Sequence, residues 1–263
     1  HGSTRPSDNS RASSRAQHET AWMDDGIFDE AHARNYDEFS PGDPGMLGEM
    51  VARLVELAGD GRALEFASGT GRVALPLHAA GVEVHGIELS RPMHGQQLAK
   101  PGGDQVPVTI GDMATTRVEG TFRLVFLVYN TIGNLLTQAE QVACFRNAAA
   151  HLGPGGQFVI ETGIPRIQHL PVGERFIPFE VTPGHIGIDG YDLATQRSTS
   201  HHYWITDGDA AAFESHHRYA WPAEYDLMAQ LAGMTLTHRW ADWTRAPFTS
   251  DSTAHISVWS TAT

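Results

Sequence analysis

The stretch that most constrains the fold is residues 63–72, which read Ala-Leu-Glu-Phe-Ala-Ser-Gly-Thr-Gly-Arg. A short apolar run breaks here into Gly-x-Gly and then into a helix-like segment, so the sequence predicts a strand, a tight turn and a helix start. Gly69 and Gly71 can adopt backbone angles closed to other residues, and they let a ligand touch the main chain. The unpaired N–H groups at the start of the helix point to the same place. The pattern is typical of a cofactor cradle.

A βα rhythm surrounds this turn. Apolar residues recur with helical spacing over 47–58. Strands are predicted over residues 63–67, 82–87, 106–110, 122–128 and 157–162. Alternating strands and helices indicate an α/β fold with a mainly parallel sheet, whose ligands bind at the carboxyl edge.

Polar residues follow the strands at that edge. Glu88 ends the second strand at the spacing where a carboxylate reaches the two hydroxyls of a bound ribose. Asp112 and Met113 follow the third strand and could present a carboxylate and an apolar side chain to an adenine. Tyr129 and Asn130 follow the fourth strand. Their convergence predicts a nucleotide-like cofactor at this edge.

Residues 163–220 interrupt the rhythm. Alternating stretches at 175–181, 185–188, 197–205 and 213–221 read as antiparallel strands, so we expect an inserted β layer on the substrate side. A helix from Pro222 and an antiparallel pair at 234–243 and 255–259 follow. The predicted organisation is listed in chain order: a disordered tail at 1–20, an N-terminal cap or lid at 21–45, a cofactor-binding core at 46–162, the inserted layer at 163–220, and a C-terminal helix and hairpin at 221–263 that complete the core.

Charge and cysteine content exclude several classes of protein. The 18 Lys and Arg against 31 Asp and Glu give a net charge of -13, which repels a phosphate backbone, so no nucleic-acid partner is expected. Cys144 is the single cysteine and cannot form an internal disulfide. No apolar run is long enough to span a bilayer and no signal-peptide pattern is seen, so we expect a cytoplasmic protein without a membrane partner.

The histidine pairs at 201–202 and 216–217 raise the question of a metal site. Adjacent residues of a strand point to opposite faces, so neither pair can chelate as a unit, and no metal is expected. The cap brings aromatic and apolar anchors, namely Trp22, Met23, Ile27, Phe28, Tyr36 and Phe39.

Together these residues resemble the class I S-adenosylmethionine-dependent methyltransferases over roughly residues 35–263. The family's first motif, an acidic residue followed by Gly-x-Gly, matches Glu65 through Gly71. Its second-strand and third-strand acids match Glu88 and Asp112. The Gly-Pro-Gly-Gly turn at 153–156 and the closing hairpin are also family features. The resemblance implies a Rossmann-like seven-stranded sheet, mostly parallel with a closing antiparallel hairpin, and S-adenosyl-L-methionine as cofactor.

The resemblance also implies roles for individual residues. Gly69 and Gly71 would let the backbone approach the methionine part of the cofactor, with Glu65 fixing that loop or holding the amino group. Glu88 would bind the ribose, and Tyr36 would close on the carboxylate. The implied cofactor-binding set is Tyr36, Glu65, Ala67, Gly69, Gly71, Arg72, Glu88, Leu89, Met93, Asp112, Met113, Val128 and Asn130. Within this set Leu89, Met93 and Met113 would sandwich the adenine, whose amino group Asp112 would contact.

The expected reaction is transfer of a methyl group to a nitrogen or oxygen of a small molecule. Holding two reactants collinear supplies much of such an acceleration. A hydroxyl acceptor also needs a general base, and the candidates are His201, His202, His216 and His217 on the inserted layer. His201 and His202 come first, as the middle of the longest inserted strand, with Tyr129 as a further catalytic candidate.

The acceptor class expected from the resemblance is a natural-product intermediate such as an aminosugar, a peptide or a phenol. An acidic surface and a β layer allow a homodimer without requiring one. Two alternatives stay open at this point. Residues 69–74 also satisfy Gly-x-Gly-x-x-Gly/Ala, which is typical of NAD(P)-dependent oxidoreductases. The other alternative is a non-catalytic methyltransferase-like domain that binds a partner through the inserted sheet.

Overall fold

The computed structural model describes residues 30–39, 43–206 and 209–263. The predicted tail at 1–20 and the anchors Trp22, Met23, Ile27 and Phe28 of the predicted cap lie outside these residues. The described helices are α1 (Glu30–Phe39), α2 (Pro44–Ala58), α3 (Ala74–Ala79), α4 (Arg91–Leu98), α5 (Gln138–His151) and α6 (Pro222–Leu231). The described strands are β1 (Ala63–Phe66), β2 (Val84–Glu88), β3 (Val108–Ile110), β4 (Phe122–Leu127), β5 (Leu152–Gly163), β6 (Phe176–Val181), β7 (His185–Asp192), β8 (Arg197–Thr206), β9 (Asp209–Arg218), β10 (Met234–Trp240) and β11 (Ala254–Thr261).

Seven of the described strands form one sheet in the order β10-β11-β5-β4-β1-β2-β3. Strand β1 pairs in parallel with β2 and β4, and β11 is antiparallel to both β5 and β10. This confirms the predicted Rossmann-like sheet with its closing hairpin. Because β1 to β5 are parallel, their carboxyl ends meet at one edge, and the predicted cofactor residues all lie on or beside it.

The sheet is buried on both faces. Alternate residues of its central strands point to opposite sides, and each side packs into its own apolar cluster. Leu64 of β1 packs in a cluster with Phe145 of α5 and Trp259 of β11. On the other face, Leu124 of β4 packs in a cluster with Leu54 of α2. This explains why the fourth predicted strand reads as continuously apolar.

Local sequence signals set where several elements begin. Ser90 caps α4, its hydroxyl accepting the N–H of Met93 at 3.2 Å. A reciprocal capping box of Thr137 and Glu140 starts α5. The short α3 begins at Ala74, which leaves Pro76 in the first turn, where its missing N–H costs no helix hydrogen bond.

The remaining described strands, β6 to β9, form a separate antiparallel sheet in chain order, which confirms the predicted inserted β layer. Its last strand was predicted at 213–221 but spans Asp209–Arg218. The β8–β9 register explains the difference, because Thr206 pairs with Asp209 and Arg197 with Arg218, so pairing ends there. Strand β5 begins at Leu152 rather than at 157, since Leu152 already pairs with Phe122 before an irregularity in the register.

No helix of the described residues is long and apolar enough to cross a membrane. Within the same described ranges, no group of three or more His, Cys, Asp or Glu side chains is arranged to hold a metal ion.

Candidate active site

The loop after β1 has the unusual backbone that its glycines predict. The φ angles are 51° at Ala67, 57° at Gly69 and 74° at Gly71. These lie in the left-handed region, which glycine enters at little cost. A Cβ atom at Gly71 would also lie only 2.8 Å from Cγ of Gln97. The second glycine therefore serves close packing against α4 as well as the turn.

Glu65 lies in β1 directly before this loop and is almost fully buried, with 3% of its surface exposed. Burial raises the pKa of Glu65 well above its ordinary range, and the nearby Glu88 carboxylate adds to the rise. The backbone N–H of Ala74 donates to the carboxyl group, but its buried Oε2 has no hydrogen-bond partner. Such an atom fits a ligand that brings a donor or a positive charge.

Glu88, at the end of β2, ties two segments together. Its Oε2 accepts the Gly69 N–H at 2.7 Å and its Oε1 accepts the Ser90 N–H at 2.7 Å. Leu89 follows and is 50% exposed, whereas Met93 is buried beside Gly69. The predicted ribose-binding carboxylate thus also fixes the glycine loop to the start of α4.

Asp112 and Met113 follow β3. Asp112 Oδ1 accepts the Ala114 N–H at 2.7 Å, and the Met113 carbonyl accepts from Nδ2 of Asn147 at 2.7 Å. The Met113 side chain packs in the apolar core and is only 8% exposed. Leu89 therefore has far more free apolar surface for an adenine than Met113 has.

Helix α1 lies over the glycine loop and is held there by charge. Asp37 contacts Nζ of Lys100 at 2.6 Å and accepts the Thr70 hydroxyl at 2.8 Å. Lys100 Nζ also donates to the Thr70 carbonyl at 2.8 Å. Desolvation raises the pKa of Asp37, but the hydrogen bonds from Lys100 and Thr70 outweigh it and the net shift is downward.

Arg72 connects this cap to the turn after β4. Its guanidinium lies over the ring of Tyr36 at 4.8 Å and over the ring of Tyr129 at 4.9 Å. The buried Nη2 of Arg72 has no hydrogen-bond partner and approaches Asp37 Oδ1 only to 3.7 Å. Burial raises the pKa of both tyrosines, so both rings remain neutral beside the guanidinium.

A small cavity of about 40 Å³ lies among these groups. It is lined by Tyr36, Glu65, Ala67, Ser68, Gly69, Thr70, Arg72, Val73, Val128, Tyr129 and Thr131. The cavity therefore brings together six of the predicted cofactor-binding residues and the candidate Tyr129. The remaining predicted residues do not line this cavity. They lie at or after the ends of β2 and β3, except for Gly71 in the glycine loop and Asn130 in the turn after β4.

The turn after β4 is strained and firmly attached to β5. Tyr129 and Asn130 have φ angles of 56° and 61°, which are unfavourable for residues other than glycine. Oδ1 of Asn130 accepts from the Thr162 hydroxyl and from the Gly163 N–H. The Tyr129 N–H donates to Glu161 at 3.0 Å. These bonds hold the turn in its costly conformation.

A larger cavity of about 460 Å³ lies on the other side of this turn, between the end of β5 and the inserted sheet. Its lining is Asn130, Thr162, Gly163, Ile164, Pro165, Arg166, Gln168, His169, Asp189, Tyr191, Ser198, Ser200, His217, Arg218, Tyr219, Tyr225 and Thr253. Its volume lies within the range of sites for small organic ligands.

His217 is the candidate histidine that lines the larger cavity. Its Nδ1 lies 3.2 Å from Oδ1 of Asn134 and its Nε2 lies 2.9 Å from the Ser215 hydroxyl. Burial lowers the pKa of His217, and Asp189 opposes the shift. The imidazole is therefore neutral near pH 7 and can accept a proton.

His201 and His202 do not line either cavity. Ser198 and Ser200 point into the larger cavity, so His201 lies on the opposite face of β8, where its Nδ1 contacts Glu214 at 2.9 Å. His202 shares the inner face but stacks on His185 and Trp204, and its Nδ1 lies 3.0 Å from His185 Nε2. The preference for these two over His217 has no geometric support.

Sequence reasoning missed two polar groups of the larger cavity. Asp189 and Tyr191 are two residues apart on β7, so both side chains face the cavity. This period of two was the sequence signal that could have identified Asp189. Tyr225 hydrogen-bonds to Thr162, and burial raises its pKa to about 12. Its place on α6, far along the chain from β5, gave no signal in the sequence.

Comparisons with known proteins agree with this geometry. Residues 63–156 match the family model described as a methyltransferase domain. The solved structure of the CcbJ methyltransferase from Streptomyces caelestis is 37% identical, with 88% of this chain and 96% of that chain covered and a TM-score of 0.79. The cypemycin N-terminal methyltransferase of a Streptomyces species is 28% identical over 207 residues, which is 73% of this chain and 80% of that protein.

A more distant structure shares the fold. The S-adenosylmethionine-bound CalS10, an amino pentose methyltransferase from Micromonospora echinaspora, is 18% identical, with 98% of this chain and 99% of that chain covered and a TM-score of 0.64. These similarities do not support the oxidoreductase or the non-catalytic binding domain.

Proposed function

This chain belongs to the class I S-adenosylmethionine-dependent methyltransferases, and from that premise we propose that it methylates an amine nitrogen of a small natural-product molecule. The observation that carries the proposal is the pair of cavities on the two sides of the Tyr129 and Asn130 turn. One cavity is bounded by the glycine loop and suits the head of the cofactor. The other lies under the inserted sheet and suits an acceptor.

The smaller cavity fits the methionine part of S-adenosylmethionine. A free amino acid carries an ammonium and a carboxylate, and the cavity offers a buried carboxylate oxygen of Glu65 and a buried guanidinium nitrogen of Arg72, both without hydrogen-bond partners. Glu65 would accept from the ammonium, and Arg72 with Tyr36 would face the carboxylate. Ala67, Gly69 and Gly71 would leave the backbone open to the same group.

The rest of the cofactor would lie along the tips of β2 and β3. A carboxylate can accept about four hydrogen bonds, so Glu88 can hold its two backbone N–H groups and still accept from ribose hydroxyls. The proposed adenine contacts are Leu89, Met93, Asp112 and Met113, whereas Val128, which lines the smaller cavity, would face the methionine part. Leu89 is the most exposed apolar side chain among them.

When bound, S-adenosylmethionine supplies a sulfonium methyl group that a neutral amine attacks in line. The protein's own contribution is to hold the acceptor in the larger cavity, with its nitrogen directed past the Tyr129 and Asn130 turn toward the methyl group, and to exclude water. His217 is placed to take a proton from the entering amine, because it lines the acceptor cavity and burial keeps it neutral. Asn134, 3.2 Å from Nδ1, orients the ring.

Nitrogen is proposed as the acceptor atom because an amine needs only to lose a proton that a neutral imidazole can accept. The named activity of the cypemycin N-terminal methyltransferase supports this choice. We also propose that the chain is organised as a cap, a cofactor-binding core, an inserted layer on the substrate side and a closing hairpin.

Two measurements test the function. Calorimetry is expected to show micromolar binding of S-adenosylhomocysteine and none of NAD. A screen with radiolabelled cofactor is expected to give products with aminosugars or peptides that carry free amines and none with phenols. Labelled phenols without labelled amines would contradict nitrogen methylation.

With the best amine from that screen, His217→Gln should lower turnover by about 10²-fold to 10⁴-fold and leave S-adenosylhomocysteine affinity unchanged. His201→Gln is the matched control and should keep full turnover. If His201→Gln lost more turnover than His217→Gln, His201 would be the proton acceptor instead.

A further inference from the structure

Asp189 has an unusual electrostatic environment for a partly buried carboxylate. It lies in β7 on the inner face of the inserted sheet and lines the larger cavity. The Ser200 hydroxyl donates to its Oδ1 at 2.7 Å. None of the ion pairs formed within residues 30–39, 43–206 and 209–263 involves Asp189.

The other partly buried carboxylates of the described chain have stronger partners. Three face a cation, namely Asp37, Glu224 and Asp226. Four accept a backbone or indole N–H, namely Glu88, Asp112, Glu161 and Asp242. Glu65 accepts the Ala74 N–H, but its buried Oε2 has no hydrogen-bond partner and lies at the smaller cavity, where the cofactor's ammonium is expected. Asp189 holds the corresponding position in the larger cavity.

The cations around the larger cavity leave the charge of Asp189 uncompensated. Arg218 lies in its wall but pairs with Glu224 at 2.5 Å. Arg166 and His169 come from an exposed turn after β5 and make no ion pair with Asp189. Removing a charge from water without a partner is costly, so the site is complementary to a ligand that carries a positive charge.

We propose that Asp189 selects the acceptor by binding it as an ammonium ion within the larger cavity. This inference rests on the proposed function, because it assigns that cavity to the acceptor. The amine enters protonated, its ammonium contacts the free oxygen of Asp189, and one proton passes to His217 to leave a neutral nitrogen. The amine loses the charge that the imidazole gains, so the net charge beside Asp189 does not change.

Methylation then gives the nitrogen a positive charge again, because a nitrogen–carbon bond forms as the carbon–sulfur bond of the sulfonium breaks and leaves a neutral thioether. Asp189 is therefore complementary to the entering ammonium, to the imidazolium and to the methylated product. Hydroxyl groups of Ser198, Ser200 and Tyr219 line the same cavity and can bind polar parts of the acceptor. A carboxylate-bearing acceptor would be repelled.

The test uses three probes of the same shape, which are cyclohexylmethylamine, cyclohexylmethanol and cyclohexanecarboxylate. Binding to the S-adenosylhomocysteine-loaded protein is measured by saturation-transfer NMR and by competition with the best amine of the methylation screen. The wild-type protein should bind the ammonium probe in preference to the other two, and added salt should weaken it. Asp189→Asn should lower that preference by ~10-fold to ~100-fold, as expected for loss of a charged hydrogen bond.

Asp192→Asn is the matched control, since Asp192 is exposed on the same strand, and it should keep the preference. Asp189→Glu should keep it in part, which separates loss of charge from loss of folding. Equal binding of the three probes, no binding of the ammonium probe at millimolar concentration, or a preference that survives Asp189→Asn would overturn the proposal. S-adenosylhomocysteine binding in the same samples reports independently on the proposed function.

Discussion

Glu88 combines a structural and a binding role in one carboxylate. Its two oxygens each accept a backbone N–H, from Gly69 and from Ser90. A side-chain amide in its place would turn one acceptor into a donor that faces another donor.

Glu88→Gln should therefore weaken S-adenosylhomocysteine binding by about 10-fold or more, in line with the loss of hydrogen bonds to a charged group. Calorimetry measures this directly. Glu83→Gln, at an exposed position near the start of the same strand, is the control and should bind normally. Unchanged affinity of Glu88→Gln would place the ribose elsewhere.

His255 should make stability depend on pH. It is fully buried, and burial, with Arg239 adding to the effect, lowers its pKa to about 4. The unfolded chain has the ordinary value near 6.5, so it binds the proton first as the pH falls. The free energy of unfolding should thus decrease by up to roughly 3 kcal/mol between pH 6.5 and pH 4, and by little above pH 7.

Urea denaturation at several pH values measures this slope. His255→Phe removes the titrating group and keeps a ring beside Tyr225 and Phe248, so its slope should be shallower than that of the wild type over the same range. Equal slopes would show that other groups dominate acid unfolding.

At the residue scale, the sequence predicted the cofactor edge better than the acceptor side. Glu65 and Glu88 lie near the carboxyl ends of β1 and β2, and Gly69 follows β1, so their convergence could be inferred from the βα rhythm. The choice between His201 and His217 depends on which face of each strand is covered, and this is decided by tertiary packing rather than by the local pattern.

At the level of elements, α1, the predicted cap, is attached through ionic and cation–π contacts as well as through the buried Ala33. Asp37 contacts Lys100 and Thr70, and Arg72 lies between two tyrosine rings. Exposed ion pairs contribute little to stability and are screened by salt. The cap is therefore expected to influence access to the glycine loop more than the stability of the whole chain.

Asp37→Asn should weaken S-adenosylhomocysteine binding by roughly 2-fold to 5-fold at low ionic strength, with a smaller effect at high salt. Calorimetry at two salt concentrations checks both statements. Glu38→Gln, the neighbouring exposed carboxylate, should behave like the wild type. An effect of Asp37→Asn that does not change with salt would contradict the ionic attachment.

Element boundaries were predictable where a local signal exists and less so elsewhere. The caps of α4 and α5 agree with the Ser90 and Thr137 signals because each depends on a few adjacent residues. The end of β9 depends on its register with β8, which is a property of the strand pair. No residue within 213–221 reports that register, and the predicted strand was displaced for this reason.

In the whole molecule, a buried polar cluster joins the inserted sheet to the core. Arg218 at the end of β9 pairs with Glu224 of α6 and also donates to Gln141 of α5 and to Gln196 before β8. Arg218 has only 4% of its side chain exposed. A charge buried to this extent is costly without its partner, so the cluster couples the two sheets energetically.

Glu224→Leu alone should lower the free energy of unfolding by about 3 kcal/mol, because it leaves Arg218 buried and unpaired. The double variant Arg218→Met with Glu224→Leu should lose less than the sum of the two single variants. Chemical denaturation followed by two probes, Trp fluorescence and circular dichroism, should give one shared transition. Separate transitions would show that the inserted sheet unfolds by itself.

The overall architecture was predictable because the alternation of strands and helices, the closing hairpin and the inserted layer each leave a pattern in the chain. The relation between the two sheets was not, because Arg218 donates to Gln141, which lies 77 residues before it in the chain. Nothing in their local surroundings indicates that they meet, and the shape of the larger cavity depends on that meeting.

The turn of Tyr129 and Asn130 has a consequence for inhibitor design. Asn130 lines the proposed acceptor cavity and Tyr129 lines the proposed donor cavity, so the two cavities adjoin at this turn and a short tether could join ligands of both. An amine linked to an S-adenosylhomocysteine-like head would bind its second half at a high effective concentration. The tether length of the best inhibitor would then measure the separation between the cofactor sulfur and the acceptor nitrogen.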